Sequence, residues 1–279
     1  MKSRLNKELS QILILVLLLF PGFVLADIAV LIHGYHSSGN SWRYNGIIHV
    51  LTNNGWNDAG HYTPGHGNIG FPGYTLSNSG KHVVTVELPS ESPMEVQADL
   101  LGLYLNEMSK KFPQQKIHLV GHSAGGVVAR LALVRNYSNL NKESDNFIPI
   151  VQLITIASPH RGSPVAEIVK KASNSPVGLV APLIGLDEIN RAERLYKQMS
   201  REKENHFLFW LNRQPHPPIR YTSIVRANSS LFGGDYLVPS YSQDMTYVPA
   251  IGNQSQLLLT PGDHNLKYAD GFLLMTLLP

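Results

Sequence analysis

The stretch from Ile117 to Arg130 reads IHLVGHSAGGVVAR. An apolar run ends at Gly121, a single serine follows at Ser123, and a segment of helical character begins at Ala124. This is the pattern G-x-S-x-G between a strand and a helix, in which a sharp turn lifts the serine clear of the sheet. The first helix amides point toward any negative charge that forms beside that serine. The sequence therefore predicts that Ser123 is a nucleophile.

Apolar runs alternate with helical patterns on both sides of this stretch. Strands are predicted at 28–32, 82–88, 116–120, 151–157, 221–225 and 255–259, and helices at 41–56, 94–112, 124–136 and 268–278. Such alternation is typical of a mostly parallel sheet with helices on both faces. We therefore predict an α/β protein with about six strands.

Two stretches depart from this alternation. Residues 57–81 are rich in Gly, His, Asn and Pro, and residues 162–218 are longer than one crossover helix requires. We expect both to be insertions into a single domain at 27–279. Within the second, the nearly uncharged run Val177–Leu186 has two interpretations. It is either a segment that packs on the domain or a lid whose apolar face covers the serine in water.

The N-terminus has the layout of a secretory signal peptide. Three basic residues precede the apolar run Ile12–Phe20, and small residues stand at Val24 and Ala26 before a cleavage point ahead of Asp27. We expect residues 1–26 to direct export to the periplasm or the extracellular space. An uncleaved membrane anchor is the alternative, although the run is short for a spanning helix.

Charge and cysteine content exclude several classes of protein. Without residues 1–26 the chain holds 20 basic and 19 acidic residues, so its basic pI does not indicate a nucleic-acid partner. The chain contains no cysteine. It therefore has no disulfide framework and no thiol chemistry.

A serine nucleophile needs a base that is oriented by an acid. In a strand-turn-helix context of this kind, the chain order is serine, then the acid, then histidine. His264 follows the last predicted strand in the loop LLLTPGDHN, whereas His206 and His216 lie inside the long insertion. We therefore predict His264 as the base, with an ordinary loop histidine as the alternative.

The acid is expected in the loop after the fifth predicted strand. Asp235 lies there in FGGDYLVPSYS, where a glycine pair allows a tight turn. Asp244 is the second candidate, and Asp263 is adjacent to the base and so poorly placed to face its ring. A solvated loop aspartate is the alternative interpretation of Asp235.

Stabilising a developing oxyanion requires a second backbone donor besides the amide of Ala124. The sequence His33-Gly34-Tyr35 follows the first predicted strand. We predict that the Tyr35 amide is this donor and that His33 has a structural role in the loop.

Together these blocks resemble the α/β-hydrolases and, within them, the bacterial secreted lipases of the true-lipase group. The matching blocks are Val30–Tyr35, the VGHSAGG turn, Ile154–Val169 with its SPHRGS segment, Asp235 with YLVPSYS, and His264. The resemblance implies cleavage of carboxylic esters through an acyl-enzyme, with Ser123, His264 and Asp235 as nucleophile, base and acid. It spans most of residues 28–279 but is weak in the two insertions.

Two departures from this group bear on cofactors. Many such lipases carry a disulfide, which this chain cannot form. Many also bind calcium through an aspartate two residues after the base, where this chain has Leu266. We therefore expect no metal site and no cofactor.

Several functions share this set of residues. A lipase, a soluble esterase, an acyltransferase and a peptidase all use the same nucleophile, and a non-catalytic binding protein could retain the fold. We expect an acyl-ester or lipid substrate, with transient contact to a lipid surface. The sequence leaves open the acyl chain, the alcohol, a folding chaperone and the oligomeric state.

Overall fold

A parallel β-sheet lies at the centre of the computed structural model, which describes residues 27–63, 80–112, 115–137, 148–164, 194–228 and 234–279. Its strands are β1 Asp27–Ile32, β2 Trp56–Tyr62, β3 Lys81–Val86, β4 Lys116–His122, β5 Ile150–Ile156, β6 Arg220–Arg226 and β7 Ser255–Thr260. Within the described residues the spatial order is β2-β3-β1-β4-β5-β6-β7. All neighbouring strands pair in parallel, so the carboxyl ends of the strands share one edge.

Helices connect the strands and cover both faces of the sheet. They are α1 Ser41–Tyr44, α2 Ile47–Asn53, α3 Met94–Lys111, α4 Ala124–Arg135, α5 Phe207–Leu211, α6 Ser240–Gln243 and α7 Tyr268–Leu277. Residues 194–199 are also helical, and short 3-10 turns lie at Met245–Tyr247 and Gly252–Gln254.

Strand β1 separates two apolar clusters because successive side chains of a strand point to opposite faces. Val30 packs in one cluster with side chains of α3 and α4, and Leu31 packs in the other with side chains of α2 and α7. All six residues of β1 are buried. Burial on both faces explains why the strand reads as a continuous apolar run.

The six predicted strands are present, and β2 is a seventh that the sequence analysis missed. It lies at the sheet edge, in a stretch that we expected to be irregular. Its polar side chains have partners that the sequence pattern does not reveal: Asp58 accepts a hydrogen bond of 2.6 Å from Arg43, and His61 bonds to Thr85 at 2.8 Å. A strand whose polar residues are paired in this way lacks the apolar alternation of a half-buried strand.

The helix predicted at 41–56 is divided into α1 and α2. The break falls at Gly46, whose φ of +74° is left-handed and therefore incompatible with a continuous helix. The remaining predicted helices agree with α3, α4 and α7 to within a residue or two.

Parts of the sequence interpretation lie outside the described residues. These parts are the predicted signal peptide at 1–26, residues 64–79 of the first predicted insertion and the run Val177–Leu186. Of the second insertion, the structure describes its first residues and its C-terminal portion from residue 194 onward. No helix in the described ranges is both long and apolar enough to cross a membrane.

Candidate active site

Ser123 lies in the turn between β4 and α4, at the carboxyl edge of the sheet. Its backbone has φ 52° and ψ −130°, a conformation that costs a non-glycine residue about 1–3 kcal/mol unless the surroundings impose it. Its amide donates to the carbonyl of Ile156 in β5 at 2.9 Å. Neighbouring strands therefore hold the serine in this strained turn.

The glycines that flank Ser123 allow the turn and β1 to approach each other. A Cβ at Gly121 would lie 2.5 Å from the Cα of Gly126, and one at Gly125 would overlap the carbonyl oxygen of His33. Neither contact could be relieved by moving a flexible side chain, because both involve backbone atoms. The packing therefore requires glycine at both positions, as the motif predicts.

Three side chains from separate loops form one hydrogen-bonded chain at this edge. The Nε2 atom of His264 lies 2.7 Å from the Oγ of Ser123, and its Nδ1 atom lies 2.6 Å from the Oδ2 of Asp235. The Asp235 side chain is fully buried. With the proton on Nδ1, the ring donates to the carboxylate and accepts from the serine hydroxyl. This arrangement can take the serine proton and stabilise the resulting imidazolium.

The loop after β6 fixes the orientation of the Asp235 carboxylate. Its Oδ1 atom accepts hydrogen bonds from the amides of Leu237 at 3.0 Å and Val238 at 2.8 Å. Gly234, with a φ of +89°, makes the turn that allows these contacts. The Oδ2 atom therefore remains directed at His264.

The other acids and histidines considered from the sequence lie elsewhere. Asp244 accepts from the amide of Thr246 at 2.8 Å and begins a 3-10 turn, and Asp263 forms an ion pair with Lys267 at 2.8 Å. His206 is exposed at the start of α5. His216 belongs to a separate buried cluster.

The loop after β1 passes directly beside Ser123. A Cβ on Gly34 would lie 2.7 Å from the Cβ of Ser123. Among the described residues, the amides of Tyr35 and Ala124 have no hydrogen-bond acceptor. Two amide donors are thus available next to the serine, where the sequence predicts an oxyanion site.

His33 holds this loop, as expected. Its Nδ1–H donates to the carbonyl of Gly34 and its Nε2 accepts from the amide of Leu88, both at 3.0 Å. Burial lowers the pKa of His33, which favours the neutral ring that this pair of bonds requires. The Tyr35 side chain completes the loop with a 2.5 Å hydrogen bond to the hydroxyl of Tyr196 in the second insertion.

The histidine of the SPHRGS segment belongs to a buried polar cluster under α4. Arg130 is fully buried. It contacts Nδ1 of His160 at 3.3 Å and donates to Oδ1 of Asn212 at 2.9 Å and to Nε2 of His216 at 3.3 Å. Burial, followed by the charge of Arg130, lowers the pKa of His160 well below its usual value and that of His216 to about 3. Both rings therefore stay neutral and can accept from the guanidinium.

Leu266, at the position where the resembling lipases place a calcium ligand, is buried against the apolar cluster of α2 and α7. Across the described ranges, no group of three or more His, Cys, Asp or Glu side chains could hold a metal ion.

Comparisons with known proteins agree on the fold. Residues 90–172 match the family described as a PGAP1-like alpha/beta domain. Triacylglycerol lipase 2 of Saccharomyces cerevisiae is 33% identical over 98 residues, which is 34% of this chain and 28% of the yeast protein. The chain thus spans under a third of the length of that curated relative.

Among solved structures, the propeptide form of the Bacillus licheniformis lipase BlEst2 aligns with a TM-score of 0.59 at 17% identity. The alignment covers 91% of this chain and 50% of that one. A protein from Listeria innocua aligns with a TM-score of 0.55 at 13% identity, over 88% of both chains. The chain therefore has the α/β-hydrolase fold, and the prediction of fold class is confirmed.

Proposed function

We propose that this protein is a serine carboxylic-ester hydrolase of the lipase and esterase type. The observation that carries the proposal is the continuous chain of hydrogen bonds from Ser123 through His264 to Asp235. The strained turn at Ser123 and the two amides beside it provide further support. The names of the yeast and Bacillus relatives favour an ester substrate over a peptide.

In the proposed mechanism, the Oγ atom of Ser123 attacks the ester carbonyl while its proton passes to Nε2 of His264. The amides of Tyr35 and Ala124 bind the oxyanion of the tetrahedral intermediate. His264 then returns the proton to the departing alcohol, which leaves an acyl group on Ser123. Water, deprotonated by His264, attacks this acyl-enzyme and releases the carboxylic acid. Asp235 stabilises the imidazolium in both halves of the reaction.

We further propose that the substrate is an acylglycerol or another lipid ester and that residues 1–26 direct export. The yeast and Bacillus proteins are both described as lipases, and the basic-apolar-small order at the N-terminus is that of a signal peptide. Cell fractionation, with N-terminal sequencing of the recovered protein, tests the second part. Recovery of an uncleaved chain from the cytoplasm would contradict it.

The nucleophile is tested with Ser123→Ala, which should abolish hydrolysis of p-nitrophenyl esters without changing the fold. Ser109→Ala is the matched control, because that serine lies in α3 and, within the described ranges, its hydroxyl bonds only to the carbonyl of Asn106. A fluorophosphonate should label the wild type at Ser123. Retained hydrolysis in Ser123→Ala, or an adduct at another residue, would contradict the proposal.

A lipase differs from a soluble esterase in the acyl chain length that it prefers and in its response to substrate that is aggregated and no longer dissolved. Esters of increasing acyl length should be assayed on both sides of their solubility limit. For a lipase, the rate on medium or long acyl esters rises once an interface forms. A smooth saturation curve through the solubility limit would identify a soluble esterase.

A further inference from the structure

His122, the residue before the serine, contacts the loop that carries His264. Its Nε2–H group donates to the backbone carbonyl of His264 at 2.8 Å. The ring is buried, and its Nδ1 atom has no hydrogen-bond partner in the described part of the chain. The hydrogen bond of the His122 ring is therefore made to the backbone of His264.

A second donor holds the same loop one residue further along. Arg226, at the end of β6, donates through Nη2 to the carbonyl of Asn265 at 3.2 Å. Its guanidinium is itself fixed by Asp270, with contacts of 2.6 and 2.9 Å. Consecutive carbonyls of the loop are thus held by side chains from two strands of the sheet.

The absence of a positive charge on the His122 ring favours protonation of His264 during the reaction. The ring centroids of His122 and His264 lie 5.4 Å apart, so a cation at position 122 would oppose the formation of an imidazolium on His264. Burial, and then the charge of His264, lower the pKa of His122 to about 3. The ring therefore donates a hydrogen bond without bringing positive charge to the site.

We propose that His122 is a positioning residue that couples the nucleophile turn to the base. Its hydrogen bond fixes the backbone of His264, so that the imidazole stays aligned with both Ser123 and Asp235. This inference rests on the proposed function. It gives a role to the residue before the serine in G-x-S-x-G, a position at which the motif specifies no residue type.

The test compares two substitutions of similar length and shape. In His122→Gln the terminal amide can still donate to the His264 carbonyl, whereas in His122→Met no donor remains. We expect the Met variant to lose roughly 10- to 100-fold in kcat with little change in KM, since small misplacements of reacting groups have effects of this size. The Gln variant should stay within about threefold of the wild type.

A spectroscopic measurement separates positioning from simple stabilisation. The downfield proton resonance of the His264 Nδ1–H group, bonded to Asp235, should persist in the wild type and the Gln variant and be lost or broadened in the Met variant. If the Met variant does not fold, His122→Asn replaces it, because its shorter amide cannot reach the carbonyl. Thermal melts establish that each variant is folded.

Equal losses in the Gln and Met variants would overturn the proposal, because they would show that ring packing matters and the donated hydrogen bond does not. Wild-type kcat and an unchanged resonance in the Met variant would overturn it as well. Failure of the proposed function is distinguished by Ser123→Ala. If that variant retains activity, the nucleophile is wrong whatever the effect of changes at His122.

Discussion

Asp235 and Asp244 are close in sequence and both buried, but their hydrogen-bond partners differ. One oxygen of Asp235 accepts from two backbone amides and the other faces His264. Asp244 accepts from the amide of Thr246. The two side chains therefore make different contacts: Asp235 faces His264, whereas Asp244 holds local backbone structure.

Asp235→Asn should reduce kcat by several orders of magnitude, about 10⁴ by analogy with the same change in another serine triad. An amide at this position favours the wrong tautomer of His264 and no longer stabilises the imidazolium. Asp244→Asn should change kcat little, since an asparagine oxygen can still accept from Thr246. The kcat of both variants is measured by steady-state hydrolysis of a soluble ester. A larger loss in Asp244→Asn than in Asp235→Asn would show that Asp235 is not the acid.

Metal dependence is a second prediction at the level of single residues. Because Leu266 offers no ligand two positions after the base, EDTA should leave the hydrolysis rate essentially unchanged. The rate is compared before and after incubation with the chelator. Inactivation that calcium reverses would show that other residues form a metal site.

At the level of elements, the candidate active site depends on how closely α4 approaches β1. The backbone of Gly125, in the first turn of α4, lies against the carbonyls of Ile32 and His33. Since this contact involves main chain on both sides, only displacement of α4 or of β1 could make room for a side chain. Such a displacement would also move the amides beside Ser123.

Gly125→Ala should therefore lower the free energy of unfolding by about 1–3 kcal/mol or more and strongly reduce kcat. Gly102→Ala in α3 is the matched control, because the three atoms nearest to its Cβ would all belong to the end of the Asn136 side chain. There the gain in helix propensity is up to about 1 kcal/mol. Urea unfolding and ester hydrolysis measure both effects, and equal behaviour of the two variants would contradict this account of the glycine.

At the scale of the whole molecule, neutral histidines that are buried or half-buried link stability to pH. His122, His160 and His216 have pKa values lowered from 6.5, chiefly by burial. Below pH 6.5 the unfolded chain binds protons at these positions while the folded chain does not. The folded state therefore has its full stability with respect to these histidines above pH 6.5, and it loses that stability as the pH falls toward 3.

We expect the free energy of unfolding to fall between pH 7 and pH 4.5, by up to about 1.4 kcal/mol per pH unit for each such histidine. His160→Asn removes one titrating group and should reduce this slope, although it also lowers stability at neutral pH. Urea unfolding at a series of pH values measures the slope. A stability that is independent of pH over this range would contradict the prediction.

The central strands of the sheet were predicted correctly from the sequence, but the edge strand β2 was not. Strands buried on both faces, such as β1, are visible as apolar runs, and the turn at Ser123 has a local motif. Strand β2 was missed because its polar side chains are paired by residues distant in the sequence. The contact from His122 to the His264 carbonyl joins residues 142 positions apart, and no local pattern encodes such a contact.

The order of strands in the sheet also determines when the site can form during translation. Strands β2 and β3 lie on one side of β1 in the sheet. Strands β4, β5, β6 and β7 lie on its other side, in the order in which they occur in the sequence. Ser123, Asp235 and His264 follow β4, β6 and β7 respectively. Because a nascent chain leaves the ribosome from its N-terminus, Ser123 emerges 141 residues before His264. On the proposed function, the growing polypeptide therefore gains hydrolytic capacity only after β7 has docked.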